Sequence, residues 1–128
     1  MIDAVEKGER EVGHQQRLWY VRLLGEEKDV WTAYWTINQR MFRFETFVMP
    51  APEENQQAFY EHLLMRNREL TGMNLEIGDE HAIFLAGSLP IAAVNDAELD
   101  RVLGSMWAYV EKVFRPALRV GFASRFGS

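Results

Sequence analysis

The sequence predicts an α+β fold: an antiparallel sheet with a three-stranded meander, a central helix, a hairpin and a C-terminal helix. Three observations predict it. The runs "RLWYVRLL", "VWTAYWTI" and "MFRFETFVM" are rich in aromatic and β-branched residues and are separated only by short polar turns, which is the spacing of hairpin-connected strands. The stretch "PEENQQAFYEHLLMRNREL" opens with proline and acids and stops just before a glycine, as helices do. The stretch "DAELDRVLGSMWAYVEKVF" repeats apolar residues at helical spacing.

The three strands fall at 17–24, 30–37 and 41–49, with "GEEKD" and "NQR" as turns. The third has a period of two. Phe42, Phe44, Thr46 and Val48 point one way, and Met41, Arg43, Glu45, Phe47 and Met49 the other. The first set is expected to meet the helices. In the second strand Trp31, Ala33, Trp35 and Ile37 oppose Val30, Thr32, Tyr34 and Thr36. A sheet with aromatics on both faces calls for cover on both, from a terminal helix or from a second subunit. Trp31, Trp35, Phe47 and Met49 are the candidate interaction surface.

A helix is expected over about 52–70, started by Pro52, whose missing N–H costs nothing in a first turn. Phe59, Tyr60, Leu63, Leu64 and Leu70 share an arc of about 140° on a 100°-per-residue wheel. Asn67 falls inside that arc, so its amide must find partners, either in the turn at 71–72 or in a neighbouring strand. Asn55 is expected to secure the passage from strand to helix. A hairpin follows over 73–87. The last helix is expected over 96–114, with Asn95 and Glu98 as a capping box and Pro116 ending or bending it. Residues 1–16, with few apolar positions, read as a weakly patterned arm or short helix. Residues 17–124 read as one domain and 125–128 as a tail.

Composition narrows the function. The absence of cysteine excludes disulfides, thiol catalysis and cysteine-ligated metals. A net charge of −5 without a basic cluster argues against direct nucleic-acid binding. No apolar run is long enough to span a membrane. The N-terminal acids are unlike a secretion signal, so a cytoplasmic location is expected.

Few residues offer chemistry. The three histidines, His14, His62 and His81, are scattered, and the zinc pattern His-Glu-x-x-His is absent. There is no phosphate-binding glycine loop and no nucleophile elbow. A hydrolase using Glu45, Glu54 or His62 is the enzymatic alternative, although Arg43 shares a strand face with Glu45 and can neutralise it. A small-molecule sensor is another alternative, which a closed apolar cavity with a few inward polar groups would mark. No catalytic, metal or cofactor-binding residue is assigned.

Four segments carry a resemblance: "RFETFVMPAPEEN", "FYEHLLMRN", "LEIGDEHAIFLAGSLP" and "ELDRVLGSMW", with "VGF" near the end. Over roughly 18–124 the chain resembles the actinobacterial branch of the YbjN-domain family, whose name associates it with sensory transduction. The resemblance implies a fold like the class I type III secretion chaperones: a helix, a three-stranded meander, a helix, a hairpin and a final helix. It also implies a homodimer, and a non-enzymatic regulatory or chaperone-like role in binding a polypeptide through apolar sheet or helix surfaces.

Overall fold

The alternation read in the sequence builds one antiparallel sheet with helices against one face. The computed structural model describes residues 4–12, 16–28, 30–38 and 40–126. Strands β1 (Ala4–Val12), β2 (Gln16–Leu24), β3 (Val30–Asn38) and β4 (Met41–Met49) are followed by helix α1 (Gln56–Asn67). Then come β5 (Asn74–Ile77), β6 (Ile83–Pro90), the long helix α2 (Asp96–Gly121) and the single turn α3 (Ala123–Phe126). The sheet order is β1-β2-β3-β4-β6-β5, with every neighbouring pair antiparallel.

The register fixes the two faces. Leu23 pairs with Trp31, Trp35 with Phe44, and Ala33 with Thr46, which in turn pairs with Leu85. These side chains share the face covered by α1 and α2, and form one core with Phe59, Leu63, Val102, Met106, Val110 and Val113. Thr46 is the one polar side chain buried there among the described residues. Its hydroxyl donates to the Thr32 carbonyl at 2.7 Å, which removes the cost of burying an unpaired polar group.

Residues 4–12 correct the expectation of an arm or short helix, and with it the first helix that the family resemblance implied. They form an edge strand paired along its length with β2. Backbone ladder bonds to a neighbour hold such a strand, and side-chain periodicity does not report them. His14 lies outside the described residues. At the other end, residues 125–126 complete the α3 turn instead of forming a tail.

Helix α1 begins at Gln56, later than Pro52, because Asn55 adopts a left-handed conformation (φ 54°), one that asparagine tolerates better than most residues. Helix α2 runs through Pro116 to Gly121. Buried Val113, Ala117 and Gly121 continue the stripe of Val102, Met106 and Val110 past the proline, so tertiary burial outweighs the lost backbone bond there. Asn95 caps α2 by accepting from the Glu98 amide at 2.8 Å. Glu98 itself turns to Arg101, so the cap is one-sided and not a reciprocal box.

Candidate interaction surface

The passage from β4 to α1 is docked on the C-terminal end of α2. The last carbonyls of a helix have no partner within it. Here the amides of Glu53 and Glu54 donate to the Gly121 carbonyl at 2.9 and 3.1 Å, and Asn55 Nδ2 donates to the Val120 carbonyl at 2.9 Å. Gly121 is required by this approach: a Cβ there would lie 2.5 Å from the Phe59 ring and 2.9 Å from Pro52. The Ser124 hydroxyl and amide both donate to the Glu54 carboxylate, which lowers the pKa of that group. Asn67 does the equivalent work at the other end of α1. Its Oδ1 accepts from the Leu75 amide at 2.7 Å and its Nδ2 donates to the Leu75 carbonyl at 3.2 Å, as expected of an asparagine inside the packing arc.

The four residues expected at the surface divide unequally. Trp31 and Met49 are buried, and Trp35 is half-buried on the helix-covered side, 6.1 Å from the Phe42 ring. Trp31 and Trp35 face inward because their partners across the ladder, Leu23 and Phe44, do. Met49 faces inward because the β4–β6 register shifts between Phe47 and Met49, and such a bulge breaks the alternation of side chains. Phe47 is exposed, at 39%.

Phe47 belongs to the other sheet face, which α1 and α2 leave open. Met41, Arg43 and Glu45 accompany it on β4, with Leu24 from β2 and Glu76 from β5. Leu24 and Met41 are 57% and 42% exposed. Arg43 bonds Glu76 at 2.6 Å and lies 3.7 Å from Glu45. Phe47 packs edge-on against Phe84 at 5.8 Å. Large apolar groups here stand beside a partly neutralised charge cluster. Outside the sheet, the outer side of α1 exposes Leu64 and Met65 at 69% and 65%.

The candidate hydrolytic residues are not brought together. Glu45 stands on the open sheet face beside Arg43. Glu54 is bonded to Ser124 near the end of α2. His62 lies on α1 in a shallow cleft with Met65, Arg66, Arg68 and Glu69. Its Nε2 is buried without a hydrogen-bond partner, and burial, aided by Arg66, lowers its pKa. Among the described residues no three acids, histidines or cysteines gather as metal ligands.

One feature escaped sequence reasoning. The "GEEKD" turn between β2 and β3 is fastened to α2: Glu111 accepts from the amides of Glu26 and Glu27, Arg115 bonds Glu27, and the Trp107 indole donates to the Leu24 carbonyl at 3.1 Å. Lys28 is thereby aimed across the end of β4, where Nζ donates to the Phe47 carbonyl at 2.7 Å. Its neighbours in space come from distant parts of the chain, so no local pattern announces it.

The sequence profile of the YbjN family, described as "Putative bacterial sensory transduction regulator", matches residues 5–119. The chain belongs to the YbjN family. An uncharacterised protein of Mycobacterium tuberculosis is 36% identical over 104 residues, 81% of this chain and 57% of that protein. An uncharacterised protein of Mycobacterium leprae is also 36% identical over 104 residues, covering 56% of its length. The chain therefore spans little more than half of these YbjN relatives. Among solved structures, a chain of the heterodimeric ExoU–SpcU complex from the type III secretion system of Pseudomonas aeruginosa aligns with a TM-score of 0.53. That match covers 89% of this chain and 85% of the other at 12% identity. The shared feature is the fold, an α+β arrangement of the type III secretion chaperone kind. No helix of the described residues is long and apolar enough to cross a membrane.

Proposed function

We propose that this YbjN protein is a non-enzymatic, chaperone-like regulator that binds a polypeptide partner on the open face of its sheet. The observation that carries the reading is the exposure of Leu24, Met41 and Phe47 on the face that α1 and α2 leave bare. The Arg43, Glu45 and Glu76 cluster beside them supplies polar contacts that fix the register of an incoming chain. Family membership and the chaperone-like fold support a binding role over a catalytic one, as does the dispersal of Glu45, Glu54 and His62.

The same reading includes a homodimer in the cytoplasm, formed through the outer side of α1. Two adjacent, highly exposed apolar residues, Leu64 and Met65, support it, because a second copy would remove both from water. Light scattering on the purified chain should give twice the monomer mass, and Leu64→Glu should halve it.

The binding face is tested by affinity purification of the tagged chain from its own cells, parent beside Met41→Asp. A defined polypeptide should be retained by the parent and lost from the variant, with both folded alike by circular dichroism. Equal retention by the two would overturn the assignment of that face.

A further inference from the structure

At the end of the sheet, where β4 gives way to the loop before α1, lies an open cleft of about 410 Å³. Phe47 and Met49 form one wall, and Phe114, Leu118, Phe122 and Phe126 the other. Its volume falls within the range of small-molecule sites, about 300–1,000 Å³, and its composition matches theirs: mostly apolar walls with a few placed polar groups. Three charged residues line it: Glu53 and Arg125, which pair with each other, and Lys28. The Lys28 Nζ lies 5.1 Å from the Phe47 ring centroid and 6.0 Å from that of Phe114.

An ammonium has three donors, and the Phe47 carbonyl takes one. The nearby carboxylates are committed elsewhere. Glu27 is held by Arg115, Glu53 by Arg125, and Glu111 by two backbone amides. Among the described residues Lys28 makes no ion pair. Among the described residues, a partly desolvated cation thus lies against aromatic rings without a counter-ion. Desolvation is felt by the group itself: burial lowers the Lys28 pKa to about 8. The fastened "GEEKD" turn sets the ammonium in place before any ligand arrives, which lowers the ordering cost of binding.

We propose that this cleft binds a small carboxylic acid with an apolar body, an aryl or medium-chain alkyl carboxylate. The carboxylate pairs with Lys28 Nζ, and the apolar body lies against Phe114, Phe122 and Phe126. The ion pair supplies a counter-charge that the described residues do not, in a setting where such a pair is screened less than on the surface. The site shares Phe47 with the polypeptide face, but Lys28 and the Phe114, Phe122 and Phe126 wall lie outside that face, so carboxylate binding stands whether or not the face binds a partner.

Octanoate serves as the probe, with 1-octanol and octylamine as matched controls, titrated into the full chain and followed by amide chemical shifts. Octanoate should shift the amides around Lys28, Phe47, Phe114 and Phe122. Octanol should bind at least about tenfold more weakly, about 1.4 kcal/mol, and octylamine should not bind, because removing one partner of a desolvated pair leaves the other charge unpaired. Lys28→Met should weaken octanoate by a similar factor, and Lys28→Arg should retain most of the affinity. The octanoate–octanol comparison on the parent chain needs no variant, so it decides even if Lys28→Met misfolds. Equal binding of acid and alcohol, shifts confined to residues outside the cleft, or no octanoate binding at millimolar concentration would overturn the proposal. A peptide ending in leucine that binds the same cleft more tightly than octanoate would reassign it to a polypeptide terminus.

Discussion

The two faces of the sheet use the same strands to opposite ends. On the covered face, Phe44, Thr46 and Val48 are buried at 1%, 0% and 1% exposure, and the Thr46 hydroxyl is bonded. On the open face, their neighbours in sequence, Arg43, Glu45 and Phe47, reach solvent with charges and an aromatic ring side by side. Alternate residues of one strand therefore divide the labour. One set holds the fold, and the other is free of that duty. Lys28 stands at the boundary, anchored by the fold and incompletely satisfied by it.

Substitutions should separate the two faces by the size of their effect. Phe44→Ala should cost about 3–5 kcal/mol, the range for emptying a packed aromatic site, read as a fall in the urea midpoint. Gly121→Val should cost about 1–3 kcal/mol through overpacking against Phe59 and Pro52. That loss would exceed the gain of about 1 kcal/mol or less from removing a helical glycine. Met41→Ser, on the open face, should stay within about 0.5 kcal/mol of the parent. If Met41→Ser were as damaging as Phe44→Ala, the open face would belong to the core and the division of labour would fail.

Lys28 sharpens the comparison through pH. Its pKa falls from an ordinary 10.5 to about 8 in the folded chain. Below about pH 8 both states hold the proton, so the folded state bears the full desolvation cost. Between about 8 and 10.5 the unfolded chain keeps the proton while the folded chain releases it, so stability rises with pH across that window. The charged groups around the lysine, Glu27 with Arg115, Glu53 with Arg125, and Glu111, are present in parent and variant alike. The difference between parent and Lys28→Met therefore isolates this one group. Urea midpoints at pH 7.5 and pH 10 should show the parent gaining relative to Lys28→Met. A constant difference would mean that Lys28 is solvated in the folded state.

Much of this arrangement was legible in the sequence, and the misses have particular causes. The alternation of β4 assigned Phe42, Phe44, Thr46 and Val48 correctly to the helix side, because one face of that strand is buried and the register is thereby fixed. The stripe of α2 was legible for the same reason at the helical period. Asn67 was legible because a polar group on a packing arc must find a partner. Strand β1 was missed, since an edge strand held by its backbone ladder leaves little side-chain signature. Met49 was misplaced by a bulge that depends on pairing with β6, a partner distant in sequence. Pro116 was read as ending or bending the helix because local propensity argues so, whereas burial of Ala117 and Gly121 carries the helix through it. The Lys28 cleft was missed because Lys28, Phe47, Phe114 and Phe126 come together only in the folded chain.

The central claim is that the bare face of the sheet is where a polypeptide docks. Photo-cross-linking from position 41, with position 44 as the buried control, tests it most directly. Irradiation in the protein's own cells should attach a defined polypeptide at position 41 and none at position 44, with the attachment point mapped by mass spectrometry. No adduct from position 41, alongside attachment at position 64 on α1 of a polypeptide other than a second copy of this chain, would contradict the account and move the docking surface to the helix.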